Sequence, residues 1–395
     1  MTSSPTRPHL IAHEIYRASR YAPGHPLAIP RVSACLDLIK ALGWFDPARY
    51  TSSPQATPEQ LARFHDPGYV ADLQHAEAVA NRSGGVLEPE IAQKRQLGIA
   101  GNPLYPEMFR RPATSCGGTM LAADQIADWA AAGQSGVIHH PAGGTHHGRP
   151  DRASGFCFLN DPVLGLLRLL DRGIAPLAYV DLDAHHGDGV QDAFAGDPRV
   201  WTISIHEANR WPRTGPVADR GQGGESGAGS EGEEGFARNL PVPQGLNDSE
   251  FACLLDEAVL PLLERITPKP QVLMIQGGCD ALADDPQSRM QLSNGALWRA
   301  VDRLCAVVPR VILLGGGGYN PMAVARCWAG YWGVINGFDV PERLPAEAEA
   351  MLRGLEWQHR RARNAPERLY TTLQDPANEG PIRPEIRALC REVLR

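Results

Sequence analysis

The stretch Pro176–Gly189, PLAYVDLDAHHGDG, decides how we expect this chain to fold, because an apolar run stops there in acids and histidines. If Leu177–Asp183 is an extended strand, its two-residue period puts Asp181, Asp183 and, approximately, His185 on one side of the strand end. Buried carboxylates are costly unless a partner neutralises them. The stretch therefore predicts a cation site or a tight proton network at the end of a core strand.

Apolar runs and helical patterns alternate along most of the chain. Further strands are predicted at His9–Glu14, Gly136–His139, Val200–His206, Phe236–Val242, Val272–Gln276 and Val311–Leu314. Helices are predicted at Arg31–Leu42, Thr57–Leu61, Tyr69–Ala80, Gly118–Ala132, Asp161–Leu170, Glu250–Arg265 and Ala296–Val307. We expect Asp161 to cap its helix, with Pro162 in the first helical position. This alternation predicts a mostly parallel sheet with helices on both faces.

Composition limits the classes of protein to consider. The length of 395 residues suits one large α/β domain or two ordinary ones. A net charge of −7 argues against direct nucleic-acid binding. The eight cysteines are scattered singly, no apolar leader opens the chain, and no apolar run approaches the ~20 residues of a membrane span. We therefore expect a reduced, cytoplasmic protein that does not contact a membrane.

Two polar segments are expected at the surface. The glycine-rich acidic run 218–235 is typical of a surface loop. Beyond Val340 the chain is charged and helical in pattern, with arginines at positions 360, 361 and 363. We expect a solvated helix or a subunit contact there, and a subunit contact would make the protein a homo-oligomer.

Polar residues follow four of the predicted strands. The pair His139-His140, the run DLDAHHGDG, Asp280 and Tyr319 each stand at or just after a strand end. Sites in open α/β sheets form beyond the carboxyl ends of the strands. We therefore expect these four segments to converge at one edge of the sheet.

Three of these residues could hold a divalent metal ion. A hydrolytic zinc site takes three protein ligands and leaves one position open for water. Asp183, His185 and Asp280 could supply that set; Asp284 and Asp285 compete with Asp280, which we prefer as the first carboxylate after its strand. The same donors also suit Fe(II), Co(II) or Mn(II), so the presence of a metal is better indicated than its identity.

A second histidine pair, His146-His147, lies in the glycine-rich run Pro141–Asp161. A hydrolase of this kind needs a base for the attacking water and an acid for the leaving amine, and imidazole suits both tasks near pH 7. Asp181 and Asp188 remain after the metal is served, and each could orient one imidazole. Because two acids remain for two histidines, the sequence favours a role of this pair in proton transfer.

A glycine run, Gly315–Gly318, delivers Tyr319. The run lacks the lysine of GxxxxGK[ST] and the spacing of GxGxxG, so it does not indicate a nucleotide site. Glycines let the backbone turn sharply and approach a ligand closely. A phenol placed there can donate a hydrogen bond to a developing oxyanion.

As a set, these residues resemble the zinc-dependent histone deacetylase superfamily, which also contains acetoin-utilisation deacetylases and acetylpolyamine amidohydrolases. The matching motifs run in family order between about Pro8 and Trp332. They are HPLAIPRV (His25–Val32), HDPGYV (His65–Val70), GGTHHGRPDRASGFCFLND (Gly143–Asp161), YVDLDAHHGDGVQDAF (Tyr179–Phe194), SIH (Ser204–His206), GGCDALADDP (Gly277–Pro286) and LGGGGYN (Leu314–Asn320).

The resemblance implies a fold and a set of catalytic roles. The fold would be a single arginase-like α/β domain around an eight-stranded parallel sheet, with a catalytic core at about 8–335 and a C-terminal helical extension at 336–395. Zinc would be bound by Asp183, His185 and Asp280. His147 would be general base and acid, with His146 as its electrostatic partner. Asp188 and Asp181 would pair with His147 and His146, and Tyr319 would polarise the amide carbonyl.

The resemblance also implies structural K⁺ or Na⁺. The nearer ion would be held by the main chain of Asp181, Asp183, His185 and Ile205 and by the side chain of Ser204.

The resemblance further implies a channel for the acyl-lysine side chain. Its lining residues would be Gly155, Phe156, Trp211, Gln287, Gly317 and Gly318. Trp211 stands where relatives usually have phenylalanine, and Gln287 where leucine or methionine is frequent. Gly101 replaces a rim aspartate that many relatives carry. These departures leave the catalytic set intact, so they bear on the substrate.

The leading hypothesis is a zinc amidohydrolase that removes acetyl or a similar short acyl group from lysine. An enzyme acting on acetylpolyamines or other small acylated amines is the alternative. An arginase-type ureohydrolase is less favoured, because it would need a DAHxD pattern with more bridging acids and would not need Tyr319. A non-catalytic acyl-lysine binder is also less favoured, because the whole catalytic set is present.

Overall fold

The computed structural model of the chain describes residues 6–19, 21–99, 101–221 and 235–395. Its centre is one parallel sheet of eight strands in the order β2-β1-β3-β8-β7-β4-β5-β6. The strands are β1 (His9–Ala12), β2 (Tyr50–Ser52), β3 (Gly136–His140), β4 (Leu177–Asp181), β5 (Val200–Glu207), β6 (Ala237–Val242), β7 (Val272–Gln276) and β8 (Arg310–Leu314). The predicted single α/β domain with a parallel sheet is confirmed.

Helices flank the sheet along its whole length. They are α1 (Ile15–Ala18), α2 (Arg31–Ala41), α3 (Pro58–Leu61), α4 (Pro67–Ala80), α5 (Pro89–Arg95), α6 (Arg110–Ala131), α7 (Asp161–Asp171), α8 (Asp188–Ala193), α9 (Asp248–Leu254), α10 (Leu260–Arg265), α11 (Asn294–Cys305), α12 (Pro321–Asn336), α13 (Ala346–Arg353), α14 (Arg368–Thr371) and α15 (Pro384–Val393). A π-helical turn, Leu255–Val259, joins α9 to α10. None of the helices in the described ranges is long and apolar enough to cross a membrane.

Both faces of the sheet are buried, as β4 shows. Leu177 and Tyr179 pack in the apolar cluster that contains α6 and α7. Ala178 and Val180 pack in the cluster that contains α2, α11 and α12. Alternate residues of a strand point to opposite faces, so a strand covered on both sides reads as one continuous apolar run. This is why the apolar runs of the sequence predict the central strands.

Strand β4 ends at Asp181, two residues before its predicted end. Leu182 N still donates to Gln276 O at 3.0 Å, but Asp183 N donates to the side chain of Asp181. This bond from backbone to side chain replaces a ladder bond and turns the chain out of the sheet. Asp183 and His185 therefore lie in a turn, and the predicted two-residue period does not reach them.

The cap of α7 and the start of α6 differ from their predictions, although α7 itself begins at Asp161 as predicted. Asn160, not Asp161, caps α7, because its Oδ1 accepts a hydrogen bond from Val163 N at 3.1 Å. Asp161 instead accepts hydrogen bonds from the backbone of Gly144 and Thr145. Helix α6 begins at Arg110 rather than Gly118. Pro112 lies in its first turn, where a backbone N–H has no helical partner, so the proline does not interrupt the helix.

The edges of the sheet differ slightly from the sequence prediction. The first strand ends at Ala12 because α1 starts three residues later, and Ile15 N donates to the His13 ring at 2.9 Å. The three-residue edge strand β2 is too short to give a periodic signal, and the prediction missed it.

Most of the acidic run 218–235 lies outside the described residues.

The chain beyond residue 336 is packed into the fold, which corrects the prediction of a solvated helix. Leu352, Leu369, Ile386 and Val393 are buried in the same apolar cluster as α2 and α12. Of the three clustered arginines, Arg361 donates to the backbone carbonyl of Asp285 at 2.8 Å. The C-terminal segment therefore supports the strand-end loops from behind.

Candidate active site

The turn after β4 brings two acids and a histidine together. Asp183 N donates to Asp181 Oδ1 and His185 N donates to Asp183 Oδ1, each at 3.0 Å. His185 Nδ1 lies 3.2 Å from Asp183 Oδ1 and 2.9 Å from Asp280 Oδ2, which follows β7. The nearest donor atoms of these three residues all lie within 4.8 Å of one another. The neighbouring strands β4 and β7 thus meet in one three-donor set, Asp183, His185 and Asp280.

The two competing acids lie in other interactions. Asp284 is paired with Arg368 at 2.6 Å. Asp285 accepts backbone hydrogen bonds from Gln287 at 2.8 Å and Tyr319 at 2.6 Å. Of the three acids that follow β7, Asp280 is therefore the one that joins Asp183 and His185.

The three-donor set fits a small divalent cation. Burial and the neighbouring Asp183 raise the pKa of Asp280 to about 6, because two carboxylates share one dry site. Burial disfavours a charge on His185, but Asp280 and Asp183 raise its pKa to about 10. A Cβ on Gly278 or Gly317 would stand 2.2 Å from a carboxylate oxygen of the set, so only glycine at these two positions leaves the carboxylates in place. Carboxylate oxygens and an imidazole nitrogen are donors that Zn²⁺ accepts.

His146 is held by a buried acid. Its Nδ1 lies 2.8 Å from Asp181 Oδ2, and the hydroxyl of Tyr179 donates to the same oxygen at 2.8 Å. Burial opposes a charge on His146, but Asp181 and Asp183 raise its pKa to about 9. His146 therefore holds a proton at neutral pH in the metal-free chain.

His147 lies in a different electrostatic environment from that of His146. Its Nδ1 lies 2.6 Å from Asp188 Oδ1, and Arg149 donates to Asp188 and to Asp192. Burial and the neighbouring His146 lower the pKa of His147 to about 4. Although burial opposes it, His147 and Arg149 hold the pKa of Asp188 well below its usual range. His147 is therefore a neutral imidazole near pH 7, free to accept a proton.

The glycine turn after β8 places Tyr319. Gly316 and Gly318 have φ of +134° and +140°, a conformation that only glycine adopts without strain. Tyr319 N donates to Asp285, and Gly317 N donates to Asp183 Oδ2 at 2.7 Å, so the same turn contacts the three-donor set. Gly318 packs against Val324 and Cys279 and lines neither of the cavities described below.

An outer cavity of about 550 Å³ leads to these residues. Its walls include Gly155, Phe156, Trp211, Gln287, His147 and Tyr319. The indole of Trp211 is 47% exposed at the mouth, and its ring centroid lies 4.7 Å from that of His147. A Cβ on Gly155 would lie 2.3 Å from that indole, so only glycine leaves the passage open there. The structure thus gathers the predicted channel residues, except Gly318, around the histidine pair and Tyr319.

One predicted member of the site lies elsewhere. The His139 ring contacts Leu313 O at 3.0 Å, and the His140 ring contacts Ile11 O at 2.9 Å and Ser115 O at 3.2 Å. These bonds tie β3 to its neighbours, and burial lowers the pKa of His139 to about 4. This pair is part of the core.

Sequence reasoning missed two supporting residues. Tyr179 stands two positions before Asp181 on the same side of β4, so the two-residue period could have identified it. Arg149 lies two residues after His147, but its acidic partners are 39 and 43 residues away along the chain. No local pattern marks such a pair.

Comparisons with known proteins agree with this geometry. The family profile described as Histone deacetylase domain matches residues 25–335. The chain is 30% identical to the acetoin utilization protein AcuC of Bacillus subtilis over 385 residues, which are 94% of this chain and 91% of that protein. It is 31% identical to histone deacetylase 8 of Xenopus tropicalis over 318 residues, which are 80% of each chain.

The solved structures give the same answer. The crystal structure of an HDAC homolog from Aquifex aeolicus superposes with a TM-score of 0.88 at 32% identity, covering 98% of this chain and all of that one. An HDAC homolog complexed with SAHA matches with the same values. The parallel α/β fold and the similarity to these proteins identify this chain as a hydrolase of linear amide bonds. More narrowly, it belongs to the histone deacetylase family as a bacterial-type member.

Proposed function

We propose that this chain is a zinc-dependent deacetylase that removes acetyl or similarly short acyl groups from the amine of lysine in proteins or peptides. The observation that carries the proposal is the arrangement at the floor of the outer cavity. There His147 and Tyr319 line one narrow passage beside the three-donor set. A linear side chain that enters this passage would present its terminal amide to a base, a phenol and the metal ligands together.

The metal would be held by Asp183, His185 and Asp280. A bound Zn²⁺ supplies Lewis acidity for the amide carbonyl and for the attacking water. The protein supplies the position of the substrate, because Phe156 and Trp211 line the walls of the outer cavity that leads to these ligands.

His147 is assigned the proton transfers. As a neutral imidazole it takes a proton from the attacking water, and it then gives a proton to the departing amine. Asp188 fixes the ring by its contact with Nδ1, which leaves Nε2 for the chemistry. His146, held by Asp181, is assigned an electrostatic role, and Tyr319 donates a hydrogen bond to the carbonyl oxygen as it becomes negative.

Replacing the two histidines separately tests these roles. His147→Ala is expected to keep the metal and to lose on the order of 10²–10⁴ in kcat, because it removes the proton-transfer group. His146→Ala is expected to lose less, because it removes only a neighbouring charge. Zinc content and kcat of both variants are the measurements. A larger loss in His146→Ala than in His147→Ala would exchange the two roles.

We also propose a monovalent cation, K⁺ or Na⁺, beside the turn after β4. The backbone carbonyls of Asp183 and His185 accept no hydrogen bond from the described residues. The parallel register pairs Asp181 with Ser204, so the segment carrying Ile205 runs beside that turn. Main-chain oxygens left free in this way, together with the hydroxyl of Ser204, suit a hard cation. Loss of thermal stability on exchange of K⁺ and Na⁺ for a bulky organic cation is the expected result.

One observation favours small acylated amines as a second substrate class. Gly101 lines the mouth of the outer cavity, and glycine offers no carboxylate to grip the backbone amides of a peptide. Small acylated amines should therefore compete well with peptides.

Gly101→Asp is expected to raise kcat/KM for acetyl-lysine peptides relative to acetylputrescine about tenfold, the effect of one charge-assisted hydrogen bond. The position accepts a side chain, since a Cβ there would meet its nearest neighbour, Phe156, at 3.9 Å. Gly101→Asn is the control of equal size without charge. An unchanged ratio in Gly101→Asp, or an equal rise in both variants, would show that peptides are held elsewhere.

A substrate panel tests the proposed function. Acetyl-lysine peptides, free acetyl-lysine and acetylputrescine are assayed with the zinc-loaded protein. Hydrolysis of the lysine substrates is the expected result. Turnover of acetylputrescine alone would establish the small-amine alternative, and turnover of none would contradict both.

A further inference from the structure

A second cavity, which we call the inner cavity, lies behind the outer one. It is defined by Tyr21, Arg31, Tyr105 and Arg111, and Asp183 of the three-donor set also lines it. Four wall residues are common to both cavities, namely His147, Gly155, Phe156 and Tyr319. The inner cavity therefore begins where the reacting carbonyl would lie and continues away from the substrate amine.

The inner cavity contains hydrogen-bond donors that have no acceptor. Arg31 Nε, Arg111 Nε and the hydroxyl of Tyr105 are buried and lack a hydrogen-bond partner among the described residues. Buried donors without a partner are rare in proteins and costly. Three of them in one cavity indicate a ligand rich in acceptor atoms.

The two arginines of this cavity also form no ion pair with an acid in the described chain. Arg111 is 8% exposed and forms no ion pair in the described chain; it lies over the rings of Tyr16 and Tyr21, at 5.3 and 5.1 Å. These ring faces attract the guanidinium but satisfy none of its N–H groups. Arg31 donates to one backbone carbonyl, that of Gly316, at 2.5 Å.

Other buried arginines of this chain are neutralised. Arg95 contacts Asp72 at 2.7 Å and Asp66 at 3.1 Å, and Arg326 contacts Asp375 at 2.8 Å. A buried charge without a counter-charge is strongly unfavourable. The missing partner of the inner cavity is therefore an anion.

Resting on the proposed function, we infer that the inner cavity binds the terminal carboxylate of a dicarboxylic acyl group, so that succinyl-lysine is a better substrate than a neutral acyl-lysine of equal length. With the carbonyl at His147 and Tyr319, the acyl carbons extend into the inner cavity, and a carboxylate at their end supplies acceptors for Arg111, Arg31 and Tyr105. The reaction remains a hydrolysis. Water adds to the carbonyl carbon, the C–N bond breaks, the amine leaves with a proton, and succinate is the second product.

The test compares succinyl-lysine and butyryl-lysine peptides, whose acyl groups both have four carbons. With the zinc-loaded protein, kcat/KM for succinyl is expected to exceed that for butyryl by about tenfold or more, the usual effect of a charge-assisted hydrogen bond. Arg111→Met should lower this ratio about tenfold, and Arg111→Lys, which keeps a charge, should restore part of it. Arg111 is the position to change because Arg31 also holds the turn that carries Tyr319.

Several outcomes would overturn the inference. A succinyl-to-butyryl ratio of one or less in the wild type would show that the cavity holds water or only a departing product. An equal loss on acetyl, butyryl and succinyl peptides in Arg111→Met would make the residue purely structural.

A binding measurement separates this inference from the proposed function. Calorimetry of the zinc-loaded protein with succinate and with butyrate requires no turnover. Succinate is expected to bind about tenfold more tightly than butyrate, and Arg111→Met should remove the difference. Equal binding of the two acids to the wild type contradicts the inference even if acetyl peptides are hydrolysed. Absence of hydrolysis with tight succinate binding contradicts only the proposed function.

Discussion

Asp183→Ala and Asp280→Ala are each expected to lose tightly bound zinc and to abolish deacetylation. Each substitution leaves one carboxylate and one imidazole, which are too few protein ligands for a catalytic zinc site. Alanine leaves the Gly317 N–H without its acceptor Asp183, or the Ala184 N–H without its acceptor Asp280, so a lower melting temperature is expected while the fold is kept. The measurements are zinc per protein after dialysis, the rate on an acetyl-lysine peptide, and the melting temperature.

Asp284→Asn is the matched control for these two variants. Asp284 follows the same strand but pairs with Arg368 outside the three-donor set, so this variant is expected to keep its zinc and its rate. Full zinc occupancy in Asp183→Ala or Asp280→Ala would show that another residue is the ligand. Loss of zinc in Asp284→Asn would have the same meaning.

Tyr319→Phe is expected to keep the metal and to lose on the order of 10²–10³ in kcat, the usual effect of removing one oxyanion donor. The backbone of this residue is held by Asp285 whether or not the side chain has a hydroxyl, so phenylalanine should occupy the same place. Because the hydrogen bond strengthens as the oxygen gains charge, the loss should appear in kcat rather than in KM.

Tyr331→Phe is the control for the loss of a buried phenol. The Tyr331 hydroxyl is buried without a hydrogen-bond partner among the described residues and lines neither cavity, so its removal should leave kcat unchanged. A kcat near that of the wild type in Tyr319→Phe would remove the phenol from the mechanism.

The central strands and the edge that carries the site could be predicted from the sequence because both depend on local pattern. The apolar run Leu177–Val180 is continuous, since the sheet is covered on both faces. Asp280 and Tyr319 follow the apolar strands β7 and β8, and parallel strands bring their carboxyl ends to one edge. The sequence therefore indicated the neighbourhood of these residues, although only its place as the first carboxylate after β7 favoured Asp280 over Asp284 and Asp285.

The details of the site depend on interactions that no local pattern contains. Asp181 could continue the strand or turn the chain, and the outcome is set by its hydrogen bond to Asp183 N. Asn160 and Asp161 are both good helix caps, and Asp161 is withdrawn from that role by the distant Gly144–Thr145 backbone. Arg111 and Arg31 come to line the same cavity only in the folded chain, so the charge of the inner cavity could not be predicted.

Titration of the metal-free protein with Zn²⁺, while hydrolysis of an acetyl-lysine peptide is followed, tests most directly whether the three-donor set makes this chain a zinc deacetylase. The expected result is no turnover without metal, a linear rise of activity with added zinc, and a plateau at one zinc per chain. Full activity in the metal-free protein would contradict the proposed function. So would one tightly bound zinc per chain without hydrolysis of any acylated amine.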